Sequence, residues 1–285
     1  MRSRGATFWG LTLPPVLWLV VFFAVPLFCI LAFSLRADMR GGLLHPFTPT
    51  LEQYDKLLHK GNYLRLLWKS VLMAFAIAAT AVAFAFPVAY FLVFRAGQRA
   101  GLYLVLILIP SWTSFLLRIM AWKVMLGSNG VINSFLDYAG LIEQPLSFLL
   151  YDRIAVIITL TYVWTPFVAL PIVAALHRID PAWHEAAADL GANPVRRFLR
   201  ITLPLSLPGV LAGFFMCFIP TVGEYVTPLL VGGSKGSMYG NLVQDFFTKA
   251  ANWPFGAALS MLMLAATLLF IVVALRLIDP RKVVA

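Results

Sequence analysis

The chain has 285 residues, of which 61% are hydrophobic and only 12% are charged. This balance excludes a soluble domain of this size and predicts a protein that lies in a lipid bilayer. The net charge of +10 does not indicate nucleic-acid binding, because the basic residues are scattered between apolar runs along the whole chain.

Six uncharged apolar runs can cross a bilayer, since a membrane-spanning helix needs about 20 apolar residues. In chain order, the predicted spans are residues 11–35, 71–94, 101–117, 154–176, 205–223 and 255–275, of which the third is the shortest. No small-residue cleavage site follows a short apolar core near Met1, so we interpret the first run as an uncleaved helix and not as a signal peptide. The sequence therefore predicts an all-α, polytopic membrane protein with six transmembrane helices in a single domain, residues 1–285.

The distribution of Lys and Arg predicts which loops are cytoplasmic. With the N-terminus inside, the inner segments hold 11 Lys and Arg in 54 residues, and the outer segments hold 11 in 101 residues. Positive charge is therefore about twice as dense in the inner segments, and the rule applies best to short loops near the span ends. We expect both termini to lie in the cytoplasm.

Two of the outer connections contain apolar residues at helical spacing. The first is residues 55–68, and the second is residues 131–150, where Asn133 is predicted to cap a short helix that ends near Gly140. We expect both segments to lie along the outer membrane surface, where a partner could dock.

Prolines interrupt four of the predicted spans, at Pro87, Pro110, Pro166, Pro171, Pro208 and Pro220. A proline frees a backbone carbonyl, which a bilayer tolerates only where another group or water satisfies it, so these helices are expected to face the bundle interior or a cavity. The alternative is that prolines are simply more common in membrane helices.

One polar segment, residues 180–204, lies between the fourth and fifth spans. Asp180 followed by Pro181 is typical of a helix start, and Gly191 fits the residue just past a helix end. Asn193 then begins a second short helix. The pattern predicts two short helices joined at Gly191.

The first of these helices has a shallow apolar face, formed by Trp183, Ala186, Ala187 and Leu190. Glu185 and Asp189 lie on a neighbouring polar strip, and the second helix carries Arg196, Arg197 and Arg200. On the residues alone, two interpretations remain open. The segment is either a docking element for another protein or a loop that packs on its own bundle, with arginines that only fix its orientation.

The spacing in this segment resembles the EAA signature of permease subunits of bacterial ABC importers, and we call residues 180–204 the EAA loop. The signature is EAA, three residues, G, nine residues, I, one residue, LP, and its fixed positions are filled by Glu185, Ala186, Ala187, Gly191, Ile201, Leu203 and Pro204. The resemblance implies a MetI-like bundle whose EAA loop forms a coupling helix in a cleft of a cytoplasmic ATPase dimer. From this resemblance we expect Glu185, Ala186, Ala187 and Gly191 to carry the coupling, with Asp189 and Arg196 in support.

Residues 117–136, 162–180 and 220–233 resemble the spermidine/putrescine branch of these permeases, specifically the first of its two permease subunits. The resemblance implies a bacterial inner-membrane protein that pairs with a second homologous permease and receives its solute from an extracytoplasmic binding protein. It also implies that ATP and Mg are bound by the ATPase and that this chain holds no cofactor. Import of another small solute, such as an amino-acid derivative, a sugar or another organic cation, remains the alternative.

A polyamine is a flexible polycation, so its path should offer carboxylates and aromatic faces. The candidates for this path are Glu224, Tyr225, Asp245, Trp122, Tyr162 and Trp164. The alternative for the aromatic residues is that Trp and Tyr concentrate at membrane interfaces, and the alternative for Glu224 is an ion pair with Arg118.

No motif indicates an enzyme. The stretch at residues 232–237 is not a Walker A loop, and His184-Glu185 begins like a zincin motif but has Ala188 in place of the second His. Cys29 and Cys217 fall within predicted spans and indicate neither a disulfide framework nor a metal site. A stand-alone channel or secondary transporter is disfavoured, because ion-driven transporters place ionisable groups deep in their spans and these six have none.

Overall fold

The computed structural model describes residues 3–37, 48–59 and 61–277. Within these ranges the chain is built from helices, with no strand among them, which confirms the all-α prediction. The α-helices are α1 Ser3–Leu19, α2 Val25–Ser34, α3 Glu52–His59, α4 Tyr63–Phe94, α5 Ala100–Leu108, α6 Phe115–Leu126, α7 Val131–Tyr138, α8 Arg153–Leu176, α9 Pro181–Asp189, α10 Pro194–Arg197, α11 Leu203–Val222, α12 Gly233–Gly236, α13 Tyr239–Thr248 and α14 Trp253–Leu277. Between them lie π-helical segments at Val20–Ala24, Phe198–Thr202 and Pro228–Gly232 and 3-10 turns at Gly97–Arg99, Ile109–Trp112 and Ser147–Leu149.

Six helical stretches of the described chain are long and apolar enough to cross a membrane, as the sequence predicts. They are Leu11–Ser34, Tyr63–Phe94, Phe115–Tyr138, Arg153–Leu176, Pro194–Val222 and Trp253–Arg276. Several are longer than the predicted runs, because a helix continues past the charged residue at which an apolar run ends.

The third predicted span, residues 101–117, is not one helix, and its predicted bounds are wrong. The 3-10 turn that follows α5 ends at Trp112, Thr113 has an extended backbone, and a new helix, α6, begins at Phe115. The predicted run stops at Arg118 because that residue is charged. In the structure Arg118 lies inside α6, with its guanidinium carbon 6.0 Å from the centre of the Phe115 ring.

The outer connections also differ in detail from the predictions. Residues 55–68 are divided between the end of α3 and the start of α4. Asn133 does not cap α7: its side-chain amide donates to the carbonyl of Gly127 at 2.9 Å and accepts from the N–H of Leu146 at 2.8 Å. The predicted end of this helix at Gly140 is confirmed, with a φ of +67°.

The chain divides into two compact units, so the prediction of one domain stays a prediction. One unit comprises Met1–Arg65 and Leu242–Ala266, and the other comprises Leu66–Asn241 and Thr267–Ala285.

Contacts at the ends of α2, α3 and α14 hold the first unit. The hydroxyls of Ser34 and Tyr54 are 2.7 Å apart, and the rings of Phe33 and Trp253 meet edge to face with centres 6.2 Å apart. These contacts fix one end of the first span.

The core of the second unit is the pair of helices α8 and α11, which approach closely at two glycines. A Cβ atom at Gly209 would lie 2.4 Å from the Cβ of Ala175 and 2.5 Å from the carbonyl oxygen of Pro171. A Cβ atom at Gly213 would lie 2.9 Å from the carbonyl oxygen of Val168. The two glycines are four residues apart and therefore share one face, the arrangement that lets membrane helices pack backbone to backbone.

Candidate functional site

The first helix of the EAA loop, α9, begins and ends at the predicted residues. The side chain of Asp180 accepts a hydrogen bond from the N–H of Ala182 at 2.9 Å. At the other end Gly191 has a φ of +78°, and its N–H donates to the carbonyl of Ala188 at 2.8 Å. This is the left-handed ending in which glycine is preferred, because it has no Cβ.

The second helix of the EAA loop is continuous with α11. The side chain of Asn193 accepts from the N–H of Arg196 at 2.8 Å and so starts α10, as predicted. The π-helical segment follows, and the N–H of Leu203 donates to the carbonyl of Phe198, five residues back. No pattern in the sequence indicated this π segment.

The exposed surface of the EAA loop is both apolar and charged. Leu190 is 89% exposed, and Trp183 is 63% exposed and lines a pocket of about 470 Å³ that α8 and α11 also line. The predicted coupling residues Glu185, Ala186, Asp189, Gly191 and Arg196 are all exposed, and Ala187 is partly buried. Within the described ranges, the three charged members of this set form no ion pair. An unpartnered face of this kind favours docking over packing on the same chain.

The opposite side of the EAA loop is seated on the end of α4. The ring of Phe198 meets Phe86 and Tyr90 edge to face, with centres 5.8 Å and 5.9 Å away. The ring of His184 meets Phe94 in the same way at 5.6 Å. We call these five residues the aromatic clamp. Sequence reasoning missed it, because the two halves lie about 90 positions apart in the chain.

Two of the predicted path residues, Trp122 and Tyr162, lie together. Their ring centres are 5.4 Å apart, and both line a cavity of about 540 Å³ between α4, α6, α8 and the 3-10 turn after α5. The cavity walls are apolar except for hydroxyl groups, and Pro110 and Pro166 contribute to them as predicted. Trp164 does not line this cavity: its ring packs near Phe167, with centres 6.0 Å apart.

Glu224 caps a helical segment that begins directly after it. Its Oε1 atom accepts from the N–H groups of Val226 at 2.9 Å and Thr227 at 3.0 Å, and the Thr227 hydroxyl lies 3.4 Å away. No ion pair between Glu224 and Arg118 is present among the described residues, so the structure does not support that alternative. Tyr225 is 42% exposed, so the capped turn presents an aromatic ring beside the carboxylate.

The other end of this segment is held by α4. Lys69 donates from Nζ to the carbonyls of Lys235 at 2.7 Å and Ser237 at 2.9 Å, and the hydroxyl of Ser70 accepts from the N–H of Tyr239 at 2.7 Å. Burial raises the pKa of the Tyr239 phenol. We call residues 224–238 the capped segment. The sequence did not indicate its contacts with α4, which join residues 166 or more positions apart.

Asp245 belongs to the first unit. It lies on α13, and its carboxylate pairs with Lys249 at 2.8 Å. Its charge is therefore partly compensated by its own helix, which makes it a weaker candidate for a cation path than Glu224.

Comparison with known proteins places these features in a family. The sequence profile of the family described as "Binding-protein-dependent transport system inner membrane component" matches residues 3–283. The spermidine/putrescine transport system permease protein PotB of Haemophilus influenzae is 35% identical over 257 residues, which cover 89% of this chain and 88% of that protein. PotB of Escherichia coli is 34% identical over 86% of this chain and 88% of that protein. The inner membrane ABC transporter permease protein YdcU of Escherichia coli is 30% identical over 80% of this chain and 76% of that protein.

The fold of this chain is similar to those of chains in solved structures. A chain of a bacterial ABC transporter involved in the import of the acidic polysaccharide alginate superposes with a TM-score of 0.72 and 17% identity, over 98% of this chain and 96% of that chain. A chain of the inward-facing MetNI methionine ABC transporter superposes with a TM-score of 0.57 and 22% identity, over 77% of this chain and 95% of that chain.

Proposed function

Because the chain belongs to the family of binding-protein-dependent transport system inner membrane components, we propose that it forms, with a second homologous permease, the path of an ATP-driven polyamine importer. It is a multi-pass inner membrane protein and a permease subunit. The observation that carries the proposal is the EAA loop, a rigidly capped element whose apolar and charged face has no partner in the described chain. Two relatives named as spermidine/putrescine permeases, each aligned over most of both chains, support the polyamine as solute.

The energy for transport comes from a separate ATPase dimer, which holds ATP and Mg. The exposed Trp183 and Leu190 are the apolar anchors of the docking face, because large apolar side chains that become buried dominate binding at protein interfaces. Glu185, Asp189 and Arg196 surround them with charge and select the partner. Gly191 ends α9 without a Cβ and so keeps this face in one orientation.

A second permease completes the path and covers part of the first span. In the described chain, the most apolar part of the span Leu11–Ser34 has no buried residue, whereas 56% of the most apolar part of Arg153–Leu176 is buried. With six spans both termini lie on one side, and docking of the EAA loop to a cytoplasmic ATPase makes that side the cytoplasm. The extracytoplasmic binding protein then docks at the other end, which carries the capped segment.

The path for the cation includes Glu224 and the pair Trp122 and Tyr162. Within the described residues, the hydrogen bonds that Glu224 accepts go to Oε1, which leaves Oε2 to an ammonium group. The aromatic pair offers π faces inside an otherwise apolar cavity, where a cation–π contact is stronger than in water.

Replacing Glu224 by glutamine distinguishes the effect of its negative charge from the effect of its capping hydrogen bonds. Glutamine keeps a carbonyl oxygen that can accept from Val226 and Thr227, so the capped segment should hold, but it removes the negative charge. We expect uptake of a labelled polyamine to fall by about tenfold, since losing one charge-assisted contact costs on the order of 1.5 kcal/mol. The measurement is initial uptake rate in vesicles at equal protein level.

Two variants control this result. Asp245→Asn removes a carboxylate that is already paired with Lys249 and should leave uptake nearly unchanged. Glu224→Ala removes both charge and cap and should be worse than Glu224→Gln. Normal uptake with Glu224→Gln, together with loss in Glu224→Ala, would restrict Glu224 to a structural role.

Reconstitution tests the function as a whole. The chain should carry no solute into liposomes by itself. With the second permease, the ATPase and the binding protein present, it should import a labelled polyamine only when ATP is supplied. Uptake by the chain alone would support a channel or secondary transporter. Uptake of a sugar or an amino-acid derivative that the polyamine does not outcompete would show that the polyamine is not the solute carried.

A further inference from the structure

The longest helix in the described part of the chain, α4, connects the EAA loop with the capped segment. α4 has 32 residues, which corresponds to a length of about 48 Å at 1.5 Å per residue. Phe94, at one end, contacts His184 of the EAA loop. Lys69 and Ser70, near the other end, bind the capped segment and the residue that follows it.

The aromatic clamp, which joins the EAA loop to α4, depends on the orientation of its rings. Phe198 is held edge to face by Phe86 and Tyr90, an arrangement that depends on ring orientation as well as on burial. Arg197 adds a hydrogen bond from Nη1 to the carbonyl of His184 at 3.4 Å, which ties α10 to α9. The two short helices of the EAA loop and the end of α4 therefore form one packed body.

The contact between α4 and the capped segment consists of hydrogen bonds from a charged group. Nζ of Lys69 donates to the carbonyl of Lys235, in the single turn of α12, and to that of Ser237, which follows this turn. Hydrogen bonds of this kind are about twice as strong as neutral ones. Gly236 also lies close to the start of α8, because a Cβ there would be 3.1 Å from the carbonyl oxygen of Asp152.

A second helix reaches the capped segment from the EAA loop. α11 is continuous with the π segment at its start and ends two residues before Glu224. It contains Pro208 and Pro220, each of which removes a backbone hydrogen bond. The one proline inside α4, Pro87, lies next to Phe86 of the aromatic clamp. The part of α4 between the clamp and Lys69 therefore has no such interruption.

We propose that α4 transmits the movement of the EAA loop to the capped segment, with Phe198 and Lys69 as the positioning residues at its two ends. This inference rests on the proposed function. α11 moves the start of the capped segment and α4 moves its end, so the ATP-driven movement of the EAA loop turns the segment that presents Glu224. Loss of either contact reduces the amount of solute transported per ATP hydrolysed.

The test measures movement at both ends of α4 in the assembled importer. Cys29 is exposed and is replaced by serine, and Cys217 is buried and is left in place. Spin labels are attached at Val195→Cys on the EAA loop and at Ser234→Cys on the capped segment, both exposed. We expect the distance distribution between them to shift when a non-hydrolysable ATP analogue binds the ATPase.

The variants Phe198→Ala and Lys69→Met should each abolish this shift, while the chain still co-purifies with the ATPase. Uptake per ATP hydrolysed should fall by about tenfold, within the range typical of coupling between two sites. Phe198→Tyr and Lys69→Arg should restore both. The matched controls are Leu199→Ala, which lies outside the clamp and is 54% exposed, and Lys235→Met, which keeps the backbone carbonyl that Lys69 binds.

A shift that persists in both Phe198→Ala and Lys69→Met would overturn the proposal and assign the transmission to α8 and α11, which also connect the EAA loop with the capped segment. Loss of the shift in Lys235→Met as well would also overturn it, because any loss of charge at this end would then have the same effect. An unmodified chain that binds no ATPase would contradict the proposed function and, with it, this inference.

Discussion

Replacing Gly191 by valine should abolish most ATP-dependent uptake while the chain still inserts and assembles. Gly191 has a φ of +78°, and a Cβ there would meet nothing within 4 Å. The substitution therefore causes no clash, and its whole effect comes from the backbone. A β-branched residue in this left-handed conformation costs on the order of 2 kcal/mol. The end of α9 relieves that strain by changing its conformation, and the docking face moves with it.

Two further substitutions make this result specific. Gly140 ends α7 with a φ of +67° and equally open surroundings, so Gly140→Val imposes the same strain on a helix outside the EAA loop and should leave uptake largely intact. Gly191→Asn should retain most uptake, because asparagine tolerates the left-handed region. Wild-type uptake with Gly191→Val would show that the ending of α9 is not needed for coupling.

Replacing Gly209 by alanine should destabilise the chain, because the added methyl group has no room between α8 and α11. The new Cβ would lie 2.4 Å from the Cβ of Ala175 and 2.5 Å from the carbonyl oxygen of Pro171, both on α8. Neither atom belongs to a flexible side chain, so the helices must separate. Overpacking of this kind costs about 1–3 kcal/mol, and we expect the thermal unfolding midpoint in detergent to fall by roughly 5 °C.

Gly101→Ala is the control for this measurement. Gly101 lies in α5, where a Cβ meets nothing within 4 Å, and alanine is the better helix former. Its midpoint should therefore be unchanged or slightly higher. Equal midpoints for Gly209→Ala and the unmodified chain would mean that α8 and α11 do not pack as closely as the structure shows.

Local signals made the EAA loop predictable from the sequence. Asp180, Gly191 and Asn193 act on backbone groups within three residues of themselves, so each boundary can be read from a short stretch. The spans were predictable for a related reason: a run of apolar residues is a property of the segment itself and needs no knowledge of its neighbours.

The bounds of the third span were predicted wrongly because they depend on tertiary contacts and on a break in the helix, not only on where an apolar run begins and ends. The third predicted span ended at Arg118 because the residue is charged, yet a helix inside a bundle can carry an arginine that lies over an aromatic ring such as Phe115. The helix break at Thr113 lies in the stretch 110–114, which contains a proline and two serines but no charged residue, so a prediction based on uncharged runs passes over it.

The contacts of α4 and the role of Glu224 illustrate two different limits. Lys69 and its acceptors are more than 160 positions apart, and one sequence holds no record of that proximity. For Glu224, a usable signal was present: a carboxylate three residues before Thr227, which is followed by Pro228 at the start of a helical turn. That spacing is typical of a helix cap, and it was overlooked because Glu is not among the preferred capping residues.

Crosslinking from Trp183 tests the docking of the EAA loop most directly. Trp183 is replaced by cysteine in the Cys29→Ser background, and the chain is expressed with the ATPase subunit. The account predicts that a membrane-impermeant thiol reagent labels this cysteine only from the cytoplasmic side. It also predicts that a short bifunctional reagent joins the cysteine to the ATPase, with a yield that changes when ATP binds. Labelling from the outside of the cell, or the absence of any crosslink to the ATPase in an assembled complex, would contradict it.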